Sequence, residues 1–144
     1  MFYNFRKNKK AFTLVELIVV IAIIAILGSV AGVLVFRYVD STRESAAKTP
    51  LSSAKSVFEA FKLDGNGKTF KAYCGEVLEH PERYYVSVND VWSKTSISSS
   101  DNFTVYYKSS DTGDYWGKLE CKNGVFGDPG TQKSAPGTKY QYTA

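Results

Sequence analysis

The sequence predicts an α+β fold: a long amino-terminal helix, transmembrane in its first half and amphipathic in its second, packed on a small antiparallel β-sheet. Three observations carry this reading. An uncharged run of 20 residues extends from Leu17 to Phe36; at about 1.5 Å rise per residue it reaches about 30 Å, the thickness of a bilayer's hydrocarbon core. Beyond it, Tyr38, Val39, Ala46, Ala47, Leu51, Ala54, Val57, Phe58 and Phe61 recur at helical spacings and form one apolar stripe. Finally, Tyr84–Val88, Phe103–Tyr107 and Tyr115–Cys121 are rich in aromatic and β-branched residues and bounded by turn formers, as strands are.

The amino-terminal segment sets the topology. Arg6, Lys7, Lys9 and Lys10 precede the apolar run with no acid among them, and such a segment stays on the cytoplasmic side while the rest crosses. The expected orientation is N-in, C-out. Glu16 is the anomaly, a carboxylate where the apolar helix begins; a charge in a membrane-embedded helix is expensive and asks for a partner.

The order Lys9-Lys10-Ala11, then Phe12-Thr13-Leu14-Val15-Glu16, then the apolar run resembles the class III leader of type IV prepilins and pseudopilins. The resemblance covers about 30 residues and implies a pilin-like fold with one helix from Phe12 to about Leu63. It also implies that a prepilin peptidase cuts between Ala11 and Phe12 and methylates the new amine of Phe12. Glu16 would then meet the Phe12 amine of a neighbouring subunit in the filament core. Two residues depart from the family pattern: Ala11 stands where most members carry Gly, and Val33 where many carry a helix-breaking proline. Gly28 and Gly32 are the weak points left in the anchor, each about 1 kcal/mol less favourable than Ala. Two plainer readings compete. A secretory signal would be cut after Ala31, before Gly32, but leaves Glu16 unexplained and splits the apolar run. A simple signal anchor would let Glu16 reach back to the interface.

Of the 18 bases, the four leader cations account for the net charge of +4; without residues 1–11, 14 bases face 14 acids. Whole-chain basicity is therefore no argument for nucleic-acid binding. With the anchor set aside, 144 residues leave one small domain of roughly 100. Cys74 and Cys121 both fall in the part expected to cross the membrane, without Cys-x-x-Cys spacing or a histidine pair. A structural disulfide is expected from them, closing a loop for which chain entropy gives about 4 kcal/mol.

The domains follow in order as a cleaved basic leader (1–11), a transmembrane or filament-core helix (12–36), an amphipathic helix (37–63) and a globular portion (64–144). Pro50 either kinks the helix or opens a new segment capped by Thr49. Asp64-Gly65-Asn66-Gly67 ends it. A short helix is expected around Glu76–Glu79, closed by His80-Pro81, and Lys122-Asn123-Gly124-Val125 reads as a tight hairpin into a last strand. The tail from Gly127 reads as a loop or a loose attachment.

Several motifs mislead. Asp111-Thr112-Gly113 matches the aspartic-protease triplet but has polar turn-forming flanks. Asp64-x-Asn66 lacks the glycine and glutamate of a calcium loop. His80 is the one histidine and forms no triad or metal set. Tyrosines interleaved with lysines, as in Tyr106-Tyr107-Lys108, could stack bases, but sheet packing and subunit contacts explain them as well. The functional expectation is a pilin-like structural subunit, not an enzyme and without cofactor or metal. It would wait in the membrane and then join an extracellular pilus. Its partners are copies of itself, other pilins and the prepilin peptidase, with an assembly ATPase and a platform protein acting indirectly. Nucleic acid is not expected as a partner. A pseudopilin of a type II secretion or DNA-uptake machine is the alternative, and a secreted or membrane-anchored binding domain the second.

Overall fold

A computed structural model describes residues 12–109 and 115–144. It divides into two compact units, 1–39 and 40–144. Helix α1 is Leu14–Leu63, 50 residues. In the first unit its large apolar side chains are all solvent-exposed. The most apolar 18-residue window has a mean hydropathy of 3.0 and none of it is buried. A helix apolar all round with nothing packed on it is stable only where the solvent itself is apolar.

In the second unit α1 carries a buried stripe, Ala47, Leu51, Ala54, Phe58 and Phe61, alternating by four and three residues. Pro50 lies inside the helix, not at a junction. An internal proline costs about 3 kcal/mol. Burying Leu51, Phe58 and Phe61, each with at most 1% of its surface exposed, returns roughly 2 kcal/mol apiece, so packing outweighs the missing N–H.

The domain that covers this stripe is antiparallel, as expected. Strands β1 (Tyr84–Val86), β2 (Phe103–Lys108), β3 (Trp116–Lys122), β4 (Val125–Phe126), β5 (Gly130–Gln132) and β6 (Tyr140–Gln141) form one sheet among the described residues. Its order is β4-β3-β2-β1-β6, with β5 following β4 along the same edge of β3. Alternate residues face inward: Tyr84 and Val86, Phe103, Val105 and Tyr107, Leu119 and Cys121 are buried. Phe58 of α1 is the hub, with ring centroids 5.2 Å from Phe70, 5.5 Å from Phe126 and 6.4 Å from Tyr84. Gly117 on β3 lets the helix approach: a Cβ there would strike the Ala47 carbonyl and lie 2.7 Å from the Leu51 Cδ1. The Asn123-Gly124 hairpin is present, with φ of 52° and 71°.

Three local readings are corrected. Helix α2 is Phe70–Val77 and starts well before Glu76, because the Thr69 hydroxyl accepts the Ala72 N–H at 3.2 Å and caps it. Strand β1 stops at Val86; the Ser87 hydroxyl accepts the Thr104 N–H at 2.8 Å, and a 3-10 turn at Asn89–Ser93 then drives Val91 and Trp92 into the core. The tail from Gly127 is not loose. It supplies β5 to β3 and β6 to β1, and the Trp92 Nε1 donates to the Tyr140 carbonyl at 3.2 Å. Unpaired edges of β3 and β1 are open donors and acceptors, and even a polar segment satisfies them through its backbone. The Asp111-Thr112-Gly113 triplet and most of the Ser109–Asp114 connection lie outside the described residues.

Candidate functional site

The start of α1 is a short polar device at the head of an apolar rod. Thr13 precedes the first helical residue, and its carbonyl accepts the Leu17 N–H at 3.3 Å. Its hydroxyl oxygen accepts the Glu16 N–H at 3.2 Å, while the Glu16 Oε2 accepts the Thr13 backbone N–H at 2.9 Å and the Thr13 hydroxyl at 3.0 Å. This is a reciprocal capping box, in which residues three apart satisfy each other's backbone donors at a helix start. Its sequence signal is Thr13-x-x-Glu16 ahead of an apolar run. Glu16 therefore has a role inside its own chain. All three bonds use Oε2 or the Thr13 hydroxyl, so among the described residues Oε1 carries no hydrogen bond. Phe12 lies beside this box with 88% of its surface exposed. Of the other residues expected here, Arg6, Lys7, Lys9, Lys10 and Ala11 lie outside the described residues.

Comparison with known families decides what this device belongs to. Residues 6–32 match the prokaryotic N-terminal methylation motif. The chain carries the class III prepilin leader of type IV pilins and pseudopilins. The match supports a precursor of the pilin or pseudopilin type, and the leader implies processing by a prepilin peptidase and assembly with other pilins. No curated protein and no solved structure matches the chain. The leader and the capping box overlap at Thr13 and Glu16, so the residues that define the motif also start the helix. The long helix over a small antiparallel sheet is the pilin-like arrangement.

The cysteines differ from expectation. Cys74 and Cys121 are both buried thiols, and the bridge is not formed. Both belong to the apolar core. Cys74 lies on α2. Cys121 lies on β3. Its Sγ contacts the Asp101 carbonyl at 4.0 Å. Burial pushes the Cys74 thiol far up and the Cys121 thiol up to about 11, so neither supplies much thiolate at neutral pH. The expected result is that iodoacetamide modifies neither cysteine in the folded protein and both in denaturant without reductant; a denatured chain that takes up label only after reduction would restore the disulfide.

His80 sits with its Nδ1 3.2 Å from the Glu82 carboxylate, an exposed pair outside any cluster of catalytic type.

Proposed function

We propose that the chain is a structural subunit of an extracytoplasmic type IV pilus filament. The carrying observation is the prepilin leader at the head of a helix whose apolar half has all its large apolar side chains exposed among the described residues. Such a surface needs lipid before assembly and other copies of itself after it. In this reading the peptidase cleaves between Ala11 and Phe12 on the cytoplasmic face and methylates the Phe12 amine. An assembly ATPase and a platform protein then drive the subunit out of the membrane, and the anchors pack as a central bundle. Glu16 serves twice: Oε2 holds the cap, and Oε1 accepts the Phe12 amine of a neighbour, where low dielectric strengthens a pair and penalises an unpaired charge. A pseudopilin shares all of these steps except display of a long surface fibre.

Amino-terminal sequencing of sheared surface filaments tests the proposal. The expected product begins at methylated Phe12. A product beginning at Gly32 would instead mark a secreted domain, and one retaining Met1 a plain anchor. Recovery only from membranes would point to the pseudopilin. Replacing Ala11 by Arg should abolish cleavage, because the peptidase is taken to need a small side chain there. An unchanged mature mass for Ala11→Arg would refute the assigned cut.

A further inference from the structure

The second unit holds a cavity of about 380 Å³ between α1, α2 and the inner ends of β1 and β2. That is near the lower limit for small-ligand pockets. Its apolar walls include Pro50, Val57 and Leu78, and its polar residues include Glu79, Tyr84 and His80. No lysine or arginine lines it. The Tyr84 hydroxyl donates to the Pro50 carbonyl at 3.4 Å and keeps its own lone pairs for a donor. Among the described residues no hydrogen bond or ion pair is made by Glu79. A carboxylate, hydroxyl oxygens and an aliphatic wall with no lysine or arginine are the lining that suits the head and stem of an alkylammonium group.

The opposite, outer face of the sheet has the complementary charge. Lys108 stands across from Trp116, Lys118 across from Tyr106, and Lys139 lies with its Nζ 4.3 Å from the Trp116 ring centroid. The one acid on these strands, Glu120, is bound by both Lys118 and Lys122 and is held down at about 2. The outer face thus carries more lysines than acids, and the cavity a carboxylate with no lysine or arginine. Cavity and lysines lie on opposite faces of one sheet, so they cannot meet within a chain. A head-to-tail contact between copies brings them together and, because it is heterologous, propagates as a filament does.

We propose that the Glu79 cavity receives a lysine from the outer sheet face of a second copy, as a lateral contact between globular domains in the filament. This rests on the filament reading above. Zero-length carbodiimide coupling of sheared filaments made from mixed unlabelled and ¹⁵N-labelled full-length subunits tests it, with linked peptides read by mass spectrometry. The expected result is Glu79 joined to Lys108, Lys118, Lys122 or Lys139, with mixed-isotope pairs present. Filaments in which Glu79 is unlinked, linked only within single-isotope pairs, or linked only to other lysines would overturn the contact and leave the filament reading standing. Absence of filaments would overturn both. Glu79 is exposed, so Glu79→Lys should keep the wild-type melting temperature while lowering filament yield about tenfold through like-charge contact. Reversing the linked lysine to Glu in the same chain should restore that yield. A full yield from Glu79→Lys alone would refute the proposal.

Discussion

Replacing Glu16 by glutamine should leave cleavage and membrane insertion intact while removing the subunit from filaments by more than a hundredfold. Glutamine still closes the capping box with Thr13, so the helix start that Glu16 holds survives. The charge does not. On docking into the apolar core the Phe12 amine of the adjacent copy would then be buried without a counter-charge, at a cost of about 3–5 kcal/mol, which is over a hundredfold in equilibrium. Glu16→Val should fail equally in assembly, with an added loss of roughly 1 kcal/mol at the helix start. The measurement is competitive: each variant is co-expressed with wild type, and its share of sheared filaments is compared with its share of the membrane fraction. Failure of Val with normal incorporation of Gln would assign Glu16 to capping alone. Normal incorporation of both would remove it from assembly altogether.

Gly117→Ala should strongly destabilise the globular unit. The new Cβ would meet the Ala47 carbonyl, which is helix backbone, and sit 2.7 Å from the Leu51 Cδ1. A side chain could swing away, but the helix backbone cannot move without lifting Leu51 and Ala54 off the sheet. Overpacking of this kind costs about 3 kcal/mol, and in a domain of this size each kcal/mol lowers the melting temperature by roughly 4–8 °C. A fall of more than about 10 °C is expected in near-ultraviolet circular dichroism of the detergent-solubilised full chain. Gly137→Ala is the control, since its added Cβ has open space around it and should change little. Equal melting of the Gly117 and Gly137 variants would show that the helix-to-sheet approach is looser than described.

What was readable in the chain was whatever depends on local pattern. The anchor run, the stripe from Ala47 to Phe61, the three main strands and the Asn123-Gly124 turn follow from periodicity and backbone preference, which neighbours in sequence determine. The leader was readable for the same reason, since a peptidase reads consecutive residues. The capping box is equally local, since Thr13 and Glu16 lie three residues apart, but the charge of Glu16 alone does not reveal its hydrogen bonds to Thr13.

Tertiary structure decided the rest. Pro50 lies within a helix because the burial of Leu51 and Phe58 outweighs a lost N–H. The polar tail becomes β5 and β6 because the edges of β3 and β1 need partners, and backbone pairing is blind to side-chain composition. A shared place in the part expected to cross the membrane made a disulfide between Cys74 and Cys121 reasonable, yet the structure holds both as buried free thiols, one on α2 and one on β3. The Glu79 cavity and the lysine face were likewise invisible in the sequence, because each is assembled from distant segments. By itself the sequence determined the leader, the apolar run and the local pairing; only packing, which weighs burial and backbone satisfaction across the whole domain, decided how the proline, the polar tail and the cysteines are placed.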